Sequence, residues 1–176
     1  MTKPDINQIA EALKEKFGVS VLSLEQQYDY PVFTLEKKDM LAVFRFLYDD
    51  ERFQFRFLTT ACGAHFPGAE KPFMMMYQLH SLVFNVRLRF KIFTTADDLQ
   101  FDSLTPIFSS ANWMEREAFD FYGLLFKGHP NLKRILNVDD MDYFPMRKEY
   151  PVEDLTRYDK DDTMFGRQAS GYKKLV

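Results

Sequence analysis

Asn85-Val86-Arg87-Leu88-Arg89-Phe90-Lys91-Ile92 decides the fold class: every second side chain is large and apolar, and those between are Asn, Arg, Arg and Lys. Side chains on a strand point alternately to its two faces, so this segment buries one face and wets the other. A strand covered by helices on both sides reads instead as an unbroken apolar run, the mark of parallel sheet. Arg52 to Phe57 repeats the alternation, with Phe53, Phe55 and Phe57 spaced by Gln54 and Arg56, and is predicted to be a second such strand. The expected fold is therefore α+β: a two-layer domain with a mostly antiparallel sheet and helices on one face.

Working outward, residues 73–83 are predicted to be a further strand, and Val19 to Gln26 and Val32 to Leu35 two more around a turn at Asp29-Tyr30-Pro31. Residues 61–72 carry Gly63, Pro67, Gly68 and Pro72 and read as a turn or exposed loop. Ile6, Ile9, Ala10, Leu13 and Phe17 recur at helical spacing before Gly18, which predicts an amphipathic helix over residues 5–17. A second helix is predicted over 37–49, with Met40, Leu41, Phe44, Leu47 and Tyr48 on its apolar face.

The chain of 176 residues is large enough to bury a core, and its 19 Phe and 9 Tyr supply large apolar side chains for core and docking surfaces alike. A net charge of -3 and a pI near 5.6 give no electrostatic reason to expect nucleic acid. No stretch approaches the roughly 20 apolar residues that span a bilayer, and Met1 to Asp5 lacks an apolar signal region, so no direct membrane span is expected. Cys62 is the one cysteine. These residues can form no internal disulfide, no CxxC pair and no iron–sulfur cluster held by their own thiolates.

Residues 112–123, Asn-Trp-Met-Glu-Arg-Glu-Ala-Phe-Asp-Phe-Tyr-Gly, read as a short helix. Asn112 is placed to cap it, Glu115 has capping-box spacing, Arg116 and Asp120 stand at i, i+4, and Gly123 is placed to stop it. Gly128-His129-Pro130 then makes a tight loop, after which Arg134-Ile135-Leu136 resumes an ordered run. From residue 139 the character changes. Acids and bases mix, Pro145, Pro151, Gly166 and Gly171 interrupt any periodicity, and Tyr143, Phe144, Tyr150, Tyr158, Phe165 and Tyr172 return at regular intervals. The division expected is an α+β domain over 1–138 and an extended tail over 139–176 whose aromatics are laid onto a partner.

Glu-Arg-Glu at 115–117 with Asp120 and Gly123, then Gly128-His-Pro-x-Leu-Lys-Arg-Ile-Leu136, then Phe144-Pro-Met-Arg-Lys-Glu-Tyr-Pro151, resembles the signature of the 30-kDa subunit family of respiratory complex I, the NADH–quinone oxidoreductase. Tyr77 to Ser81, Asn85 and Arg87-Leu-Arg89 are similar to that family's central strands, so the resemblance covers about residues 50–167. Thr60 and Gly63-Ala64-His65 depart from it where acidic residues are usual, and Leu124 stands in place of Ile.

The resemblance implies a non-redox structural subunit of the peripheral arm, on the cytoplasmic side of the bacterial inner membrane. Its implied partners are the 49-kDa-type subunit, around which the tail wraps, and the iron–sulfur subunit of the quinone module. Iron–sulfur clusters, FMN and quinone are then expected in partner subunits and no cofactor in this chain. Glu115, Arg116, Glu117, Asp120, Gly123, His129, Pro130, Arg134, Arg147 and Lys148 are the residues expected at or shaping the interface. A related possibility is the equivalent component of a membrane-bound hydrogenase or formate hydrogenlyase.

From the residues alone, Glu115, Glu117 and Asp120 allow an acid–base pair, but three carboxylates beside Arg116 on one helix more often form ion pairs or caps. A hydrolase using them and a generic binding module remain the other readings. His129 is expected to fix its loop by a hydrogen bond, since no second ligand stands at metal spacing. Cys62-Gly-Ala-His65 has CxxH spacing without further ligands nearby. No catalytic and no metal residue is assigned.

Overall fold

A computed structural model of the chain describes residues 3–150. Helix α1 (Ile6–Phe17) starts at a capping box between Asp5 and Gln8, ends at Gly18 with φ +52°, and buries Ile9, Ala10 and Leu13. Helix α2 (Met40–Asp49) follows a single 3-10 turn at Lys37–Asp39 and buries Met40, Val43, Phe44 and Leu47. Strands β1 (Val21–Gln27), β2 (Tyr30–Leu35), β3 (Phe57–His65), β4 (Phe73–Ser81) and β5 (Val86–Thr94) form one sheet in the order β1-β2-β5-β4-β3. Neighbours are antiparallel except β2 and β5, which pair parallel. A parallel pair needs a crossover, and the chain supplies it by way of α2 and the β3–β4 hairpin.

The core lies between the sheet and the helices. Phe44 of α2 meets Tyr77 and Phe90 edge-on at 5.2 and 5.1 Å, and Phe33 stacks on Phe90 at 5.4 Å. Val86, Leu88, Phe90 and Ile92 are buried and Arg87 is exposed, as the alternation on β5 predicts. Helix α3 (Ala111–Tyr122) covers β3 from the side of α1 and α2. Gly63, which shares that face with Met75 and Ile92 through the register, lies so near it that a Cβ would come within 2.7 Å of the Tyr122 ring. The helices therefore occupy one face.

Several local expectations give way. Residues 51–56 are not a strand, although Phe53 and Phe55 are both buried. Here the Phe53 and Gln54 amides donate to the Asp50 carbonyl, the Phe55 amide donates to Leu47, and Gln54 takes φ +48°. A turn closing α2 thus sends both rings inward, which alternation alone cannot distinguish from a strand. Residues 61–65, expected in a loop, belong to β3, because pairing with Phe73–Tyr77 satisfies their backbone. Only 66–72 connects the hairpin. Leu82 and Val83 fall outside β4 and are 67 % and 62 % exposed. A parallel pair, β6 (Gln100–Asp102) with β7 (Leu125–Lys127), had no sequence signal beyond Phe101 and Phe126, which bury against each other. The tail anchors Tyr158, Phe165 and Tyr172 lie outside the described residues.

Candidate functional site

The signature residues converge on α3 and the segment that follows it. Helix α3 begins at Ala111 after Ser110, not at an Asn112 cap, and Glu115 does not reach back to its own helix start. Glu115 is fully buried. Its carboxyl accepts from Ser103 Oγ and from the Leu104 amide, each at 2.7 Å, and ties α3 to the segment after β6. Burial pushes its pKa up to about 7, and the two hydrogen bonds oppose that rise without overcoming it.

One turn on, Asp120 is equally buried and behaves in the opposite way. Its Oδ2 accepts the consecutive amides of Ile135, Leu136 and Asn137 at 3.0, 2.8 and 3.2 Å. Its Oδ1 accepts from Asn137 Nδ2 at 3.0 Å and Arg134 Nη1 at 3.3 Å. Burial raises the pKa, but the donors from Leu136, Ile135 and Asn137 together outweigh it and hold the carboxyl down at about 2. Three successive amides aimed at one anion form a nest. The ordered run expected at 134–136 is thus neither helix nor strand; its regularity comes from Asp120.

The i, i+4 pairing of Arg116 with Asp120 is not made. Arg116 turns to the loop, where Nε donates to the Lys133 carbonyl and Nη2 to that of Arg134, each at 3.0 Å, and its guanidinium lies over Trp113 at 4.6 Å. Arg134 takes the place at Asp120 instead. Its Nη2 continues to the carbonyls of Met141 at 2.7 Å and Tyr143 at 3.4 Å. Burial does not separate the two arginines, which are similarly enclosed; geometry does, since the Lys133 and Arg134 carbonyls take up Arg116 while Arg134 Nη1 reaches both the Asp120 carboxylate and its carbonyl, each at 3.3 Å.

At the end of α3, Gly123 takes φ +74°, and a Cβ there would meet Phe144 at 2.6 Å and Arg147 at 2.7 Å. Arg147 Nε donates to the Tyr122 carbonyl at 2.8 Å, and the Met146 amide donates to Phe121. The Phe144 ring has the Arg134 guanidinium at 5.0 Å and that of Arg147 at 4.8 Å. Lys148 contributes through its amide, which donates to His65 Nδ1 at 3.0 Å, while the His65 ring stacks on Phe73. His65 and Cys62 stand three apart on β3 and so face opposite sides of the sheet, which rules out a chelate between them.

His129 joins its loop to the start of α3. Nδ1 accepts the Asn131 amide and Nε2 faces the Asn112 carbonyl, both at 3.0 Å, so the proton sits on Nε2. Glu117 and Pro130 are exposed. Of the predicted residues, the structure brings together Arg116, Asp120 and Arg134 in one cluster and Gly123 with Arg147 in the next. Glu115 points away from both. Ser103, Asn137, His65 and Phe144 complete the site. Only Phe144 stood inside a recognised block, and the other three lay too far along the chain, or were too ordinary, to signal their part.

Chemically, the arrangement holds residues 128–150 in a shape with no regular secondary structure by giving its amides and carbonyls side-chain partners. It leaves Trp113 and Leu136 62 % and 75 % exposed beside Ile135, around a shallow apolar hollow of about 250 Å³.

Residues 33–156 match the family described as respiratory-chain NADH dehydrogenase, 30 Kd subunit. The C-type subunit of NADH-quinone oxidoreductase from Trichlorobacter lovleyi is 39% identical over 150 residues, covering 85% of this chain and 91% of the relative. Its counterpart in Citrifermentans bemidjiense is 38% identical over 147 residues, covering 84% and 90%. Among solved structures, a trypsin-resistant fragment of Nqo5 superposes with a TM-score of 0.58 at 22% identity, covering 70% of this chain and 98% of the fragment. A chain of an archaeal membrane-bound sulfane sulfur reductase superposes with a TM-score of 0.70 at 18% identity, covering 89% and 96%. At these identities the two structures speak for the fold. The relatives speak for descent, and with a family match that takes in the whole of the α3 junction, this chain belongs to the 30-kDa subunit family of respiratory-chain NADH dehydrogenase.

Proposed function

We propose that the chain is a structural, non-redox subunit of the peripheral arm of proton-translocating NADH–quinone oxidoreductase, where it braces the quinone-proximal module. The observation that carries this reading is how the signature groups are used. Arg116, Asp120, Arg134 and Arg147 bond this chain's own backbone, and Glu115 bonds Ser103 and Leu104. Groups committed in this way shape a surface, whereas an acid–base pair must face a substrate. The exposed Trp113 and Leu136 suit that surface to a protein partner.

The partners proposed are the 49-kDa-type subunit and the iron–sulfur subunit of the quinone module, with iron–sulfur clusters, FMN and quinone held by partner subunits. One cysteine falls short of the four thiolates that a cluster ordinarily takes. The tail proposed to wrap a partner is residues 139–176; within it the Met146 amide and Arg147 bond carbonyls of α3, and the Lys148 amide bonds His65 of β3. The place proposed is the cytoplasmic side of the inner membrane. Among the described residues no helix is long and apolar enough to cross a membrane.

Purification of the native assembly through a tag on this chain tests the reading. Recovery of NADH-oxidising activity with flavin-bearing and 49-kDa-type subunits is expected; recovery of the chain alone overturns it. The second reading carried from the sequence is the equivalent component of a membrane-bound hydrogenase or formate hydrogenlyase. Nickel in the recovered large subunit would decide for that reading.

A further inference from the structure

The sheet face turned away from the helices carries a feature the α3 junction does not use. Arg87, Arg89 and Lys91 follow one another at alternate positions of β5 and so project from that outer face. Among the described residues, none of the three is in an ion pair. Lys91 Nζ donates to Gln27 Oε1 at 2.8 Å, Arg87 to the Tyr30 hydroxyl at 3.4 Å, and Arg89 Nη2 to Gln78 Oε1 at 3.3 Å. All three acceptors are neutral. The Arg89 guanidinium lies 4.7 Å from the Tyr30 ring centre, and its Nε is buried without a hydrogen-bond partner.

Glu25, which accepts from Gln27 at 3.1 Å, stands on the same face, so three cations in a row beside one acid leave a local positive excess on a chain of net charge -3, and Tyr30 and Gln78 hold the middle one in place. The row leads into apolar ground. Lys91 is the register partner of Thr34, and Thr34 and Phe93 line, with Leu22 and Phe66, an open groove of about 440 Å³ under the β3–β4 turn.

We propose that this outer face is a docking site for an acidic segment of a partner protein, whose carboxylates pair with Arg87, Arg89 and Lys91 and whose apolar end lies in the Phe66–Phe93 groove. Charge complementarity selects that occupant. Alternate residues on a strand stand about 7 Å apart, so an extended segment with Asp or Glu at every second position matches the row. Guanidinium forks favour carboxylates through paired hydrogen bonds, and Arg87, exposed at one end of the row, is the fork most open to an incoming carboxylate. The site rests on the reading of the chain as a component of a larger assembly and is separate from the α3 junction.

The test uses that assembly, purified through the full chain and treated with a water-soluble carbodiimide, which joins an amine to a carboxylate with loss of water. An amide link from Lys91 Nζ to an Asp or Glu of a copurifying protein, mapped by mass spectrometry, is expected. Lys91→Arg should abolish the link and keep the assembly, while Arg87→Glu with Lys91→Glu should lower partner recovery about tenfold and more steeply at high salt. An intact assembly in which Lys91 gives no such link, or in which the double charge reversal changes nothing, overturns the proposal and leaves the proposed function standing. Recovery of the chain alone overturns both. Loss of binding to anionic phospholipid vesicles in the double variant, without any protein link, also overturns it, in favour of a lipid surface.

Discussion

Replacing Asp120 by Asn isolates the charge of the buried carboxylate from its shape. Asp120 receives three backbone amides, the Asn137 side chain and Arg134. Holding its carboxyl at about 2 instead of the ordinary 3.8 corresponds to about 2 kcal/mol of folding free energy at neutral pH, at roughly 1.36 kcal/mol per pH unit. The Asn variant loses that term. It also turns an amide NH₂ toward donors and leaves Arg134 without its anion, and breaking such a buried pair costs about 3–5 kcal/mol. The two figures count the same interactions of one carboxylate and are not added; an overall loss of about 3 kcal/mol is expected, which for a chain of this size lowers Tm by roughly 6–12 °C.

Urea unfolding of the isolated chain, followed by Trp113 fluorescence, measures this loss. The acid side supplies a second check. Because the folded pKa is depressed, the Asp120 contribution is present above about pH 4 and drains away as pH falls through 2. Wild type and Asp120→Asn should therefore converge in stability on acidification through that window. A variant within about 0.5 kcal/mol of wild type at neutral pH, or a gap that stays constant on acidification, would refute the account of Asp120 as the anion that organises residues 134–143.

Glu115 should show the opposite pH sign. Its folded pKa is raised to about 7 from 4.5, so its stabilising contribution is complete below 4.5 and is lost as pH rises through 7, an effect of about 3 kcal/mol. Glu115→Gln, which resembles the protonated acid, should flatten the stability profile between pH 5 and 8 in urea titrations. Gly123→Ala forces a Cβ onto Phe144 and Arg147 at φ +74°, and limited proteolysis should then cut residues 143–150 at least several-fold faster while α1 and the sheet stay protected. Phe55→Ala empties a fully buried site behind the α2 turn and should cost about 3–5 kcal/mol in the same urea assay. Gly63→Ala drives a methyl to 2.7 Å from the Tyr122 ring; thermal melting should fall, and a second change, Tyr122→Leu, should recover part of the loss.

Periodicity was most informative where one face of an element is buried and the other wet. Helix α1 and strand β5 could be read almost to the residue because their apolar spacing is unbroken and, for α1, Gly18 marks the end. The same rule failed at 52–56, where two inward Phe side chains are produced by a turn with Gln54 at positive φ. Alternation records which side chains are buried; it does not record the backbone that buries them. Gly63 misled in the other direction, because a glycine needed for the close approach of Tyr122 was read as a loop signal.

At the junction, the family blocks singled out Glu115, Arg116, Asp120, Gly123, Arg134 and Arg147, and local spacing suggested an Arg116–Asp120 pair. Spacing within a helix could not show that Arg134 and three amides from 135–137 would reach Asp120 first. Nor could it show that two carboxyls five residues apart on α3 would be driven to opposite protonation behaviour. By itself, then, the sequence determined the fold class, the order of most elements, the lack of thiolates for a cluster, and the family. Tertiary structure alone decided the partners of the buried charges, because hydrogen-bond donors and desolvation are supplied by segments distant along the chain, and only folding sets who lies next to whom.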